Sequence, residues 1–373
     1  MRLVPTSMCR PGMKLAKKIF SQDGLVLLGE NVELTERIIA RLTELGIQFV
    51  YIADARTADV VLPELISEDT MRVALTEIRT NFREIMERPN RRSAKPRIFI
   101  DKPFRQMMNM VIDDLLSRRD AMVMLMNMSM VDHYLYQHSL NVCVYTTLLG
   151  IAHGYSRDEL MTLGLGALLH DIGKTRIDPG VLKKNGSLTS EEYEEIKRHA
   201  ELGYLILKDE PNIPLLAAHC AYQHHERLDG SGYPRGLKGD EIQEFAKWVG
   251  LVDSYDAMTT NRIYRSPMLP HHAMEQLYAG SGSLYEQRML QLFRDKVAIY
   301  PIGLSVKLHT GESGVVVGIH SSCPHRPVVR VLYNEAGEAL KIPYEKDLSR
   351  QLSVMIVGVD DRAQSDALAA TAD

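Results

Sequence analysis

The chain has 373 residues, of which 45% are hydrophobic and 25% charged, the composition of a folded protein rather than a disordered one. Its 44 Lys and Arg against 48 Asp and Glu give a formal net charge of −4, so no positive field draws it to duplex nucleic acid or an anionic membrane. No apolar run approaches the roughly 20 residues a bilayer needs, and Met1–Phe20 has no signal-peptide apolar core.

In chain order, the first segment reads as a small α+β regulatory or packing domain at 1–60. Lys18–Phe20 and Leu25–Leu28 flank Gln22-Asp23-Gly24, a turn sequence that predicts a hairpin. Ile38, Ile39, Leu42 and Leu45 have helical spacing, Gly46 stops that helix, and Phe49–Ile52 reads as a strand. A helix over Glu68–Glu87 and a proline-flanked linker at 88–96 fill 61–100. A helical domain at 101–299 follows. Its alternating methionines from Met122 to Met130 suit core or helix-pair packing, and apolar stripes of this kind also suit a homodimer seam. Thr189 and Glu192 form a capping-box match that starts a helix running through His199. After Pro301 the composition turns β-rich. Ser305–Leu308, Gly314–Ile319, Val328–Tyr333, Leu340–Ile342 and Ser353–Val359 read as strands of a small domain at 300–360, followed by a tail at 361–373. The fold class expected is mainly α, a helical bundle with a small N-terminal α+β unit and a small C-terminal β appendage.

The four cysteines form no CxxC pair, which fits reduced thiols in a cytoplasmic protein. Histidine carries the functional signal, with eight of 13 falling between His133 and His225. Leu168-Leu169-His170-Asp171-Ile172-Gly173-Lys174 places a His-Asp pair behind an apolar run, where burial is costly unless both groups are bonded or ligate a metal. A carboxylate can bridge two ions, and Lys174 can bring an ammonium to a bound phosphate. His224-His225 opens a second motif that continues through Glu226 and Asp229 to Gly232-Tyr233-Pro234. Tandem residues on a helix of roughly 3.6 residues per turn point about 100° apart, so two neighbouring metals could each take one histidine. His138, His199 and Asp253, each set in an apolar helical context, complete a set of five His and two Asp. Mixed N/O ligation of this kind suits Fe, Mn or Zn better than Ca or Mg. Taken singly, each of these residues is also consistent with an ordinary hydrogen-bonded structural role.

His170-Asp171 together with His224-His225-Glu226 and Asp229-Gly230-Ser231-Gly232-Tyr233-Pro234 resembles the HD-GYP family of HD-type metal phosphohydrolases, over about Met130 to Leu292. The resemblance implies an all-helical HD-type catalytic domain within 101–299. It implies hydrolysis of cyclic di-GMP to pGpG, GMP or both by a metal-activated hydroxide at a dinuclear site. The metal ligands implied are His138, His170, Asp171, His199, His224, His225 and Asp253, with Asp171 as the bridging carboxylate. Two divalent transition-metal ions are implied, Fe or Mn in preference. Lys174 would contact a substrate phosphate, and Arg262, Arg265 and the loop of Gly232, Tyr233 and Pro234 would contact substrate. Asn261 and Ile263 depart from the family pattern around those arginines. Tyr134 stands where some members have a Glu that helps hold a third metal, which favours two ions.

Two other functions stay open on the sequence. One is a hydrolase of another nucleotide, such as cyclic GMP-AMP. The other is a catalytically weak module that binds metal or cyclic dinucleotide and signals to protein partners through the terminal domains. No membrane or duplex nucleic-acid partner is expected.

Overall fold

A computed structural model describes residues 1–20, 26–47, 49–62, 65–87, 102–117, 134–182, 184, 186–260 and 268–359. The turn at Gln22-Asp23-Gly24, the linker at 88–96, the methionines from Met122 to Met130, Arg262, Arg265 and the tail at 361–373 lie outside these residues. The described residues fall into two units. One comprises those of Met1–Glu64 with Arg294–Asp373, and the other those of Leu65–Arg119 with His133–Phe293.

In the first unit, β1 (Arg2–Pro5), β2 (Ile19–Phe20), β3 (Val26–Leu28), α1 (Glu36–Glu44) and β4 (Phe49–Ile52) come from the N-terminal segment. Thr35 caps α1 by accepting from Ile38 N, and Gly46 leaves the helix at φ +72°. The predicted hairpin is present as antiparallel β2 and β3. Strand β1 pairs antiparallel with β4, and because successive side chains point to opposite faces, it serves two cores. Val4 packs with Leu15, Leu34, Leu42 and Val50. Leu3 instead joins Val306, Leu308, Val316, Val329 and Val331 of the C-terminal segment. Residues that the sequence reading separated as 1–60 and 300–360 therefore share one hydrophobic core. Arg330 reinforces it with a two-pronged ion pair to Asp59, at 2.6 and 2.7 Å.

The C-terminal strands are β5 (Ser305–Leu308), β6 (Ser313–Gly318), β7 (Val328–Tyr333), β8 (Ala339–Asp347) and β9 (Ile356–Val359). They form an antiparallel sheet in the order β8-β7-β6-β5-β9. β8 extends well beyond the predicted Leu340–Ile342. Pro343 and the charged Lys341, Glu345 and Lys346 mask it in sequence, yet an edge strand tolerates both a proline and exposed charge.

The second unit is helical. It runs through α2 (Glu68–Glu87), α3 (Lys102–Ser117), α4 (Tyr134–His153), α5 (Arg157–Leu169), α6 (Pro179–Leu182) and α7 (Ser190–Lys197). It continues with α8 (His199–Leu207), α9 (Leu215–Gln223), α10 (Glu244–Thr259), α11 (Pro270–Ala279) and α12 (Gln287–Lys296). Helix α5 is buried from Leu160 to Leu169 on nearly every face, because α4 and α9 pack against it. Capping boxes at Ser156 with Glu159 and Thr189 with Glu192 start α5 and α7. The helix expected to run through His199 is instead interrupted at Arg198, which closes α7 and opens α8. Among the described residues no helix is long and apolar enough to cross a membrane.

Candidate metal centre

Three of the predicted histidines stand where helices end. His170 follows α5, His224 follows α9, and His199 follows the interruption after α7. The last carbonyls of a helix have no intrahelical donor, and each imidazole supplies one. His170 Nδ1 donates to Ala167 O at 2.7 Å, His199 Nδ1 to Ile196 O at 2.6 Å, and His224 Nδ1 to the carbonyls of Cys220 and Ala221, both at 3.0 Å. A carbonyl only accepts, so Nδ1 carries the proton and Nε2 keeps its lone pair. His138 sits within α4, and its Nδ1 meets Asp256 Oδ2 at 2.7 Å.

These four Nε2 atoms converge on Asp171. Its Oδ2 lies 3.6 Å from His138 Nε2 and 3.5 Å from His170 Nε2. Its Oδ1 lies 3.4 Å from His199 Nε2 and 3.8 Å from His224 Nε2. Asp253, from α10, closes the opposite side, with Oδ1 3.1 Å from His138 Nε2 and Oδ2 4.0 Å from His225 Nδ1. Two groups with metal-ligand spacing result, His138-His170-Asp171 and Asp171-His199-His224-His225, and Asp171 belongs to both. The tandem histidines thus fall in one group rather than one in each. Helix α9 stops at Gln223, so the 100° helical offset does not govern them.

The donor set fits divalent cations. His170 Nε2 and Asp171 Oδ1 are buried without a hydrogen-bond partner, a costly arrangement that a cation at their focus would relieve. The electrostatics point the same way. Burial lowers the pKa of His170, takes His199 down to about 4, and holds His224 and His225 well below the usual imidazole value, so these rings are neutral at neutral pH. Burial also opposes ionisation of Asp171, but Lys174 and the surrounding imidazoles outweigh it and hold the carboxyl well below its ordinary range. For His138 burial again acts downward, and Asp253 and Asp256 reverse it, raising the ring to about 9. Four of the five imidazoles are thus already neutral around ionised carboxylates, as metal binding requires, and His138 must give up a proton to ligate.

Close backbone approach makes this convergence possible. Gly173 lies against α8, where a Cβ would overlap the carbonyl oxygen of His199. That contact brings the turn carrying Asp171 up to His199. Lys174, 18% exposed, reaches back to pair with Asp171 Oδ2 at 2.5 Å. Gly232 lies against the backbone of His225 and Glu226 with no room for a Cβ, and Tyr233 N donates to His225 O at 3.3 Å. The Tyr233 ring then stacks on His225, with centroids 4.5 Å apart, and the Tyr233–Pro234 peptide is cis.

Comparison with known proteins matches residues 121–289 to the family model of the HD domain, and residues 305–367 to that of a KOW domain associated with HD domain. A cyclic di-GMP phosphodiesterase of Pseudomonas aeruginosa is 32% identical over 232 residues, covering 62% of this chain and 56% of that protein. A cyclic di-GMP phosphodiesterase of Thermotoga maritima is 42% identical over 142 residues, 38% of each chain. Residues 121–289 belong to the HD-GYP family. A 3'3'-cGAMP-specific phosphodiesterase of Vibrio cholerae is 31% identical over 156 residues, covering 42% of this chain and 30% of that protein. Among solved structures, an HDG"Y"P protein from Bdellovibrio bacteriovorus superimposes with a TM-score of 0.49 at 16% identity, over 79% of this chain and 98% of the other. The chain spans about half the length of the first of these sequence relatives and 38% of the second.

The site also contains groups whose roles the motifs do not reveal. Glu226 is buried, and its carboxylate accepts from Arg235 N at 2.8 Å and Leu237 N at 2.9 Å, which ties down the loop carrying Tyr233. Asp256 and Asn141 lie behind His138. In sequence Glu226 is one letter of the motif and Asp256 an ordinary helix carboxylate. Its place three residues after Asp253 was the available signal, since that spacing puts both on one face of α10.

Proposed function

We propose that this chain is a metal-dependent phosphodiesterase that hydrolyses cyclic di-GMP to pGpG, GMP or both at a dinuclear centre in the helical segment 101–299, in a bacterial cytoplasm. The observation that carries the reading is the sharing of Asp171 by two ligand groups, one from each side of its carboxylate. His138, His170 and Asp171 would hold one ion, and Asp171, His199, His224 and His225 the other, with Asp253 facing both groups. Imidazole and carboxylate donors without thiolate favour Fe or Mn. Two such ions, when bound, acidify a water and neutralise charge on the attacking and leaving oxygens of a phosphodiester.

The chain's own residues supply the rest. The carbonyl bonds at Nδ1 pre-orient the His170, His199 and His224 rings with Nε2 facing inward. Lys174 is the cation beside Asp171 and is partly open to solvent, so it suits a substrate phosphate. Tyr233 flanks His225 and offers an aromatic face beside the centre. Arg262 and Arg265 are assigned to substrate from the motif alone. Charge positioned before reaction is worth more than charge that must move.

The test is turnover by anaerobically prepared protein loaded with Fe(II) or Mn(II), assayed on cyclic di-GMP, 3'3'-cGAMP and linear pGpG with the products identified. Preferential hydrolysis of cyclic di-GMP is expected. Preference for 3'3'-cGAMP would support the second reading, which the Vibrio cholerae relative favours. Binding of ions and cyclic dinucleotide without turnover of any substrate would overturn the enzyme reading.

A further inference from the structure

We infer that Asp256 is a positioning residue, which aims His138 at the ion position it shares with His170 and Asp171. The inference rests on the proposed dinuclear reading and adds a residue outside the ligand set.

His170, His199 and His224 stand at helix ends, and main-chain carbonyls fix their Nδ1–H groups. His138 lies inside α4, where the preceding carbonyls are engaged in the helix. A side-chain acceptor at Nδ1 sets its tautomer and ring plane. Asp256, 2% exposed on α10, provides one at 2.7 Å from Nδ1. Proton residence at Nδ1 leaves Nε2 as the donor atom facing Asp171 and Asp253.

The carboxylate is itself held in place. Asn141 Nδ2 donates to Asp256 Oδ1 at 3.0 Å, and Gln137 Nε2 donates to Asn141 Oδ1 at 2.7 Å. The Thr260 hydroxyl lies 3.4 Å from Oδ2. Spacing accounts for the arrangement. His138 and Asn141 are three apart on α4, and Asp253 and Asp256 are three apart on α10, so each helix presents one residue to the centre and one a turn behind it. An anionic acceptor at Nδ1 also makes the ring a stronger donor at Nε2, an effect that a carbonyl gives more weakly.

The test titrates Mn(II) into metal-free full-length chain, comparing wild type with Asp256→Ala and Asp256→Asn and using His138→Ala to mark the affected ion. Wild type is expected to bind two ions. Asp256→Ala is expected to bind one of them about 10–100-fold more weakly, the same ion that His138→Ala loses, with the other unchanged. Asp256→Asn keeps an acceptor oxygen without the charge and should fall between. Ring nitrogen chemical shifts of the deprotonated His138 ring should show mixed tautomers in Asp256→Ala and the Nδ1–H tautomer alone in wild type. Wild-type affinity for both ions in Asp256→Ala, or equal weakening of both, would overturn the inference while leaving the centre standing. If Asp256→Ala does not fold, unchanged or equally weakened affinities in Asp256→Asn would overturn it. Wild type binding fewer than two ions would instead overturn the dinuclear reading.

Discussion

Asp171 is a buried carboxylate whose two oxygens face different pairs of imidazoles, and Lys174 supplies a compensating cation. Truncating one imidazole should therefore remove one ion and spare its neighbour. His170→Ala leaves Asp171, His199, His224 and His225 in place, so one ion per chain should remain by metal analysis. Activity should fall by more than the roughly 10–100-fold lost when an outer partner is removed. Two retained ions would refute that assignment. Lys174→Ala should keep both ions and lose rate, because its ammonium is assigned to substrate phosphate; loss of ions would mean that it serves Asp171 alone. At this scale much of the candidate site was legible in sequence through the combination of the His-Asp pair with the tandem His motif, although neither alone separates a ligand from an ordinary structural residue. Asp256 was not legible as an orienting group. Its spacing from Asp253 placed it on the same face of α10, but its role exists only because α4 and α10 lie side by side, which that spacing does not report.

Elements set these distances through contacts that leave no slack. Gly173 lets the turn after α5 lie on the backbone of α8, and a methyl there would meet the carbonyl of His199. Gly173→Ala should destabilise the metal-free protein by about 1–3 kcal/mol, as overpacking does, and should also weaken ion binding because Asp171 and His199 are pushed apart. Unchanged melting temperature and ion affinity would show that the contact relaxes at no cost. In the other unit, Asp54 accepts from Arg56 N at 2.9 Å and pairs with the buried Arg2 at 2.6 Å, tying the end of β4 to β1. Burial raises the Asp54 pKa, but the hydrogen bonds from Arg56 and the charge of Arg2 outweigh it and lower the value. Its stabilisation is thus fully present above the unfolded aspartate pKa of about 3.9 and is lost as pH falls through the lower folded value. Melting temperature measured down through that range should drop less steeply in Asp54→Asn than in wild type, and parallel curves would exclude the linkage. Helices and strands with clean periodicity, such as α2, β4 and β7, could be read directly from the sequence. The full length of β8 could not, because an edge position permits residues that argue against a strand elsewhere.

For the whole molecule, the seven proposed ligands all lie in the helical unit, spread from His138 to Asp253 and gathered by α4, α5, α8, α9 and α10. The first and last parts of the chain meet in the other unit, where Leu3 and the C-terminal valines share a core. Nothing in the sequence marked β1, and local periodicity does not say which distant segments cover its two faces. The same limit applies to the centre, whose ligand types were evident while their division between two positions depended on where α9 stops. Metal content per chain, measured on anaerobically purified wild-type and Asp171→Ala proteins, tests the central claim most directly. The account predicts two ions in wild type and the loss of both when the shared carboxylate is removed; wild type without stoichiometric metal, or Asp171→Ala retaining two ions, would contradict it.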